Sequence, residues 1–154
     1  MSRIHEQIDA DVPITTAYNQ WTQFEEFPRF MEGVEEVRQL DDTRLHWKAE
    51  IGGQTREWEA KIVEQEPDRV VAWRSDQGVT LSGRVTFEEF APDRTRIILE
   101  MEFDPEGFVE TTGDVLGIVK HRAKGDLKRF KEFIEGRGVE TGAWRGRVES
   151  GSTR

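Results

Sequence analysis

The sequence predicts an α+β domain in which a curved antiparallel sheet of about seven strands wraps around one long C-terminal helix, with two short helices after the first strand. Three observations carry this expectation. Apolar residues recur at every second position through residues 34–104, the period of strands with one buried face. They recur at spacings of three or four through residues 114–135, the period of an amphipathic helix. Turn-forming clusters at residues 52–53, 76–78 and 91–93 cut the first stretch into hairpins. A single helix does not fully cover a strongly twisted sheet, so this architecture leaves internal space beneath the helix.

Each element follows from its own pattern. Ile4, Glu6, Ile8 and Ala10 alternate with His5, Gln7 and Asp9, predicting a strand over residues 3–11. Pro13 suits a first helical turn, and Ala17, Trp21 and Phe24 fall at helical spacing, so a helix is expected to about Phe24. A second short turn lies around Pro28 and Met31, with Gly33 as its stop. The next strand starts at Val34. Leu45, Trp47, Ala49 and Ile51 then share a strand face, and Gly52-Gly53 turns the chain into Arg56, Trp58, Ala60 and Ile62. Strands follow at 70–75, 79–90 and 95–104. The stripe Leu116, Val119, Ala123, Leu127, Phe130 and Ile134 marks the long helix, with Asp114 as its N-cap and Gly136 and Gly138 as stops.

The chain has 154 residues, which fits one domain able to bury one core. Nine Phe and five Trp supply the apolar surface for it despite a charged fraction of 34%. A net charge of −9 argues against nucleic acid or an anionic membrane as the main partner. The absence of Cys excludes disulfides, thiolate metal sites and thiol nucleophiles. The three His show no zinc spacing, and no nucleophile elbow or phosphate-binding glycine loop occurs. No cofactor and no metal are therefore expected. No apolar run approaches the length of a membrane span or of a signal-peptide core, so the expectation is a soluble cytoplasmic protein without stable membrane insertion.

Several stretches resemble the START/birch-pollen-allergen (SRPBCC) superfamily, in particular its bacterial polyketide cyclase/dehydrase and lipid-transport group. They are residues 8–13 with Ala17, Tyr18 and Trp21, residues 27–37 beginning Phe27-Pro28-Arg29-Phe30, Trp73-Arg74-Ser75, and Gly83-Arg84-Val85-Thr86-Phe87. The resemblance implies a helix-grip fold over residues 1–137, with 138–154 as a mostly irregular C-terminal tail. It also implies a hydrophobic cavity between sheet and helix. Members of such folds bind lipids, carry coenzyme Q or cyclise aromatic polyketides, so the fold does not decide the activity.

The candidate ligand-binding residues are Trp47 and Trp58 on facing hairpin strands, Trp73 nearby in sequence, and Phe87 and Phe103 on apolar faces of the following strands, which read either as ordinary core or as a cavity wall. Val119 and Arg122 lie on the long helix, and Arg122 with Asp126, four residues on, either points into the cavity or pairs at its rim. Arg56 and Arg74, each beside a Trp, compete with Arg122 as anchor for a carboxylate or enolate oxygen. Phe108, next to Gly107, reads as a mobile gate or as a staple at the helix start. No catalytic residue is assigned. The leading expectation is binding or transport of a hydrophobic small molecule, such as a lipid, an isoprenoid or a polyketide-like compound. The alternatives are a polyketide aromatase/cyclase and an interaction protein, and the chain is a monomer or a homodimer.

Overall fold

The computed structural model describes residues 2–51, 53–77, 81–104, 115–149 and 152–153. Seven strands form one antiparallel sheet: β1 (Ser2–Ala10), β2 (Val34–Gln39), β3 (Arg44–Ile51), β4 (Gln54–Glu66), β5 (Val70–Gln77), β6 (Leu81–Ala91) and β7 (Arg94–Phe103). Their order is β1-β7-β6-β5-β4-β3-β2, a meander from β2 to β7 whose first strand returns beside the last. Helix α1 (Ile14–Trp21) and a 3-10 helix (Phe24–Arg29) bridge β1 to β2, and α2 (Val115–Arg137) follows the sheet. This is the helix-grip architecture: a curved sheet holding one long helix.

Burial repeats the sequence alternation. In β3, Leu45, Trp47, Ala49 and Ile51 are buried and their neighbours are not. In β4 the alternation carries Trp58, Ala60 and Ile62 inward, and then a bulge at Val63 shifts the register against β5. One extra residue turns the following side chains over, so Gln65 and not Glu64 or Glu66 is buried.

The short helices differ from expectation. Thr22 donates its hydroxyl to the Asn19 carbonyl at 2.6 Å, satisfying a terminal acceptor of α1, and α1 ends at Trp21 rather than near Phe24. Pro28, with no N–H to offer, sits inside the 3-10 helix that follows. At the other end, α2 runs through Gly136. It stops at Gly138, whose φ of +73° and N–H bond to the Ile134 carbonyl at 2.9 Å make a left-handed cap. The expected N-cap Asp114, and Val79 at the start of the sixth strand, lie outside the described residues.

Ala123, Leu127, Phe130 and Ile134 are buried on α2, whereas Leu116 is 43% exposed. The C-terminal half of α2 is packed solid: Phe130 meets Trp21 at 5.1 Å and Phe30 at 5.3 Å between ring centroids, and Phe87 meets Tyr18 at 5.5 Å. The chain beyond α2 is strapped along α1. Glu140, Thr141 and Arg145 bond Asn19 and Gln20, and the Trp144 N–H reaches the Thr22 hydroxyl. Two short strands, β8 (Val148–Glu149) and β9 (Ser152–Thr153), follow; β8 pairs with Glu64 and Gln65 of β4, and its Val148 is fully buried. Among the described residues no helix is long and apolar enough to cross a membrane.

Candidate functional site

The aromatic packing that fills one end of the sheet stops short of the other, and a cavity of about 130 Å³ remains under the N-terminal half of α2. Its floor is Trp47, Ala49 and Ile51 of β3, Trp58 of β4, Trp73 of β5, Leu81 of β6, and Leu99 and Met101 of β7. Its roof is Val119, Arg122, Ala123, Asp126 and Leu127 of α2, and the chain from the end of α1 to the start of β2 closes one side with Trp21, Phe27, Met31, Glu32 and Val34. These residues share the space because period-2 and period-3.6 faces meet there.

Trp47 and Trp58 are register partners whose indoles lie parallel, 4° between planes and 5.9 Å between centroids. This is an offset stack. Trp73 lies opposite Gly83 of β6. A Cβ on Gly83 would stand 2.8 Å from Trp73 Cε2, inside van der Waals contact. The missing side chain is what lets that indole lie across the sheet.

Polar groups converge at one end. Arg122 donates Nη2 to the Glu50 carboxylate at 2.7 Å and Nη1 to the Glu50 main-chain carbonyl. The guanidinium fits because Gly33 has no side chain: a Cβ there would stand 2.5 Å from Nη1. Gly33 also needs its freedom of φ, which is +81°. The Arg122 guanidinium, with help from the Gly53 N–H, holds the Glu50 carboxyl below its usual range. Asp126 accepts the Glu32 N–H at 2.9 Å and a bond from Arg129, which also donates Nε to the Phe30 carbonyl at 2.8 Å. Burial nevertheless raises the Asp126 carboxyl above its ordinary value. Arg122 and Asp126 thus both line the cavity, but each bonds a different partner and they form no ion pair with one another.

The structure brings five of the ten candidate residues to the cavity: Trp47, Trp58, Trp73, Val119 and Arg122. The others lie elsewhere. Phe87 shares the inner face but is consumed by packing on Tyr18 and Trp21, and Phe103 is wholly buried at the end of β7. Arg74 follows Trp73 in a strand and so points to the opposite face, where it lines a shallow outer recess with His5, Arg84 and Glu100. Arg56 is half-buried on the Trp58 side of β4, paired with Ala49 next to the exposed strand start, and is not among the lining residues. Phe108 lies outside the described residues. Sequence reasoning missed Met31, Glu32 and Val34, which follow the 3-10 helix where no period marks an inward side. Leu99 and Met101 were legible as inner-face residues but not as cavity wall.

A second buried polar group lies away from the cavity. Tyr18 is fully enclosed, and its hydroxyl and both amide atoms of Gln65 lack hydrogen bonds of ordinary geometry. Burial pushes the Tyr18 phenol up to about 12, an effect tempered by the nearby Gln65 amide and by Arg145, whose guanidinium lies 5.6 Å from the ring centroid.

Comparison with known proteins agrees with this architecture. The family described as polyketide cyclase / dehydrase and lipid transport matches residues 10–132. An uncharacterized 17.2 kDa protein of Streptomyces lincolnensis is 51% identical over 149 residues, covering 96% of this chain and 99% of that one. Among solved structures, the Zhui aromatase/cyclase of a Streptomyces species superposes with a TM-score of 0.75 at 16% identity, over 93% of this chain and 99% of that one. A START superfamily protein of Mycobacterium smegmatis superposes with a TM-score of 0.66 at 16% identity, over 88% and 95%. At such identities the superpositions establish the fold alone, while the family match and the Streptomyces relative establish membership: the chain belongs to the polyketide cyclase/dehydrase and lipid-transport family.

Proposed function

We propose that the protein binds a small, largely apolar molecule in the cavity between α2 and the sheet. One observation carries the reading: a cavity between sheet and helix whose wall is Trp, Phe, Met and aliphatic side chain, with Arg122, Asp126 and Glu32 as its only charged lining residues among those described. Few polar groups in an apolar cleft or cavity is the pattern of small-molecule sites. Size narrows the ligand. An apolar cavity of about 150 Å³ holds one benzene, so about 130 Å³ takes a molecule of about one ring as it stands. A lipid, isoprenoid or polyketide-like chain requires the cavity to widen toward the roughly 300 Å³ or more of typical ligand sites. Met31 and Met101 in the wall are the adaptable side chains for that.

The test is a size series of one- to three-ring apolar compounds screened by thermal shift, together with mass spectrometry of extracts from purified protein. One-ring members are expected to raise the melting temperature and to change the fluorescence of the cavity tryptophans. No response from any member, with nothing extracted, would remove the reading.

A second reading, ring closure and dehydration of a poly-ketone chain, is favoured by one feature: a carboxyl raised by burial, Asp126, in the same apolar space as the Arg122 guanidinium. A carboxyl with raised pKa serves as general acid or base, and a guanidinium stabilises an enolate oxygen. On this reading Asp126→Asn abolishes turnover of a poly-ketone mimic while leaving its binding intact; equal turnover by the variant would dismiss it.

A further inference from the structure

We propose that the ligand is an organic acid, admitted by exchange at Arg122, with the ligand's anionic oxygen taking the place of the Glu50 carboxylate. The inference rests on the cavity reading above and adds the class of ligand and the way the site opens.

Arg122 is the one cation among the described residues that line the cavity, and its side chain is only 19% exposed. It also lines an open surface recess with Glu32, Gly117, Ile118 and His121, so the guanidinium stands between the apolar interior and solvent. Its two bonds to Glu50 differ in kind. The one to the main-chain carbonyl is fixed by the sheet, because the Glu50 N–H is itself bonded to the Gly33 carbonyl at 2.7 Å. The absent Gly33 side chain keeps the guanidinium's place open.

The other bond is to a carboxylate whose side chain is 38% exposed. Partly exposed ion pairs contribute little, and a released Glu50 carboxylate is rehydrated at once. The cation is thus held in place while its anion is exchangeable. A planar guanidinium with one free edge is matched to a carboxylate in both geometry and charge.

The other acids nearby do not compete for it. Asp126 is committed to the Glu32 N–H and to Arg129, and Glu32 faces Arg129 at 3.8 Å with more than half its side chain in solvent. A neutral ligand gains nothing from Arg122, since Glu50 already satisfies it.

The experiment compares benzoate with the uncharged, nearly isosteric benzamide, titrated into the full chain and followed by tryptophan fluorescence. Expected is at least tenfold tighter binding of benzoate. Glu50→Gln, at a partly exposed position, is expected to tighten benzoate threefold or more without changing benzamide. Arg122→Gln is expected to erase the preference, with circular dichroism confirming that it folds; should it not fold, Glu50→Gln decides alone. Equal binding of both probes, with a ratio that Glu50→Gln leaves unchanged, overturns the acid inference and leaves the cavity reading standing. Binding of neither probe overturns both.

Discussion

Gly83→Ala tests the claim that the Trp73 indole occupies the place of a missing side chain. Two effects oppose each other. Replacing a strand glycine normally stabilises by roughly 0.5–1 kcal/mol, because alanine loses less freedom on folding. Here the new methyl would meet Trp73 ring atoms at 3.0 Å or less, and the indole is itself packed against the buried core. Forcing an extra methyl into packed surroundings costs roughly 1–3 kcal/mol, so the net is about 1–2 kcal/mol of destabilisation. For a domain of this length that lowers the melting temperature by about 2–8 °C. The diagnostic is a double-mutant cycle read by urea denaturation. In a Trp73→Ala background the obstruction is gone, so Gly83→Ala becomes neutral or stabilising. The coupling between the two positions is then about 2 kcal/mol, within the range seen for contacting residues. Additive effects, or a Gly83→Ala protein as stable as the parent, would refute the reasoning.

Three further outcomes are expected. Tyr18 is the sole tyrosine, so absorbance near 295 nm reports it alone: ionisation is expected only near pH 12 while the fold persists. Because the folded phenol keeps its proton longer than the unfolded one, this group's contribution to stability is intact below pH 10 and is lost as pH rises toward 12. By NMR titration of the carboxyl carbons, Glu50 titrates below its usual 4.5 and Asp126 above its usual 3.8. The Glu50 contribution is present above 4.5 and is lost as pH falls through its lowered value. That of Asp126 is present below 3.8 and is lost as pH rises through its raised one; Arg122→Lys returns Glu50 toward 4.5. Val148→Ala removes two buried carbons from the strap and is expected to cost about 1–3 kcal/mol by chemical denaturation, whereas no loss would mean that the segment after α2 does not stabilise the fold.

The sheet and α2 were legible because each has one period and one buried face. Trp47 and Trp58 could be assigned to that face from alternation alone, whereas Val70-Val71-Ala72 before Trp73 offers no alternation to read. Alternation does not say where along the face packing gives way to space. Phe87 and Trp73 point the same way, yet α1 brings Tyr18 and Trp21 down on the first while the second borders the cavity. Arg74 was misplaced by judging nearness in sequence, which in a strand means the opposite side. The partner of Arg122 was out of reach for a different reason. Asp126, four residues away on the same helix, is the local choice, but the bond goes to Glu50, 72 positions distant, on a hairpin whose approach to α2 is set by the fold as a whole. The 3-10 helix and the bulge at Val63 each break a period, and the side of Met31 and of Gln65 was lost with it.

The strap that ends in β8 also bears on how copies of this protein meet. β3 pairs with β4 only as far as Lys61, so the last stretch of β4 would otherwise present bare amide and carbonyl groups, a template for a strand from a second molecule. β8 pairs there at Glu64 and Gln65, and the protein thereby covers that seam itself. On the sheet's flank at β2, the exposed Glu35, Glu36 and Arg38 put charge where a flat apolar ribbon would invite stacking. Resistance to aggregation in this fold is therefore built in part by residues beyond 132, where the family match ends.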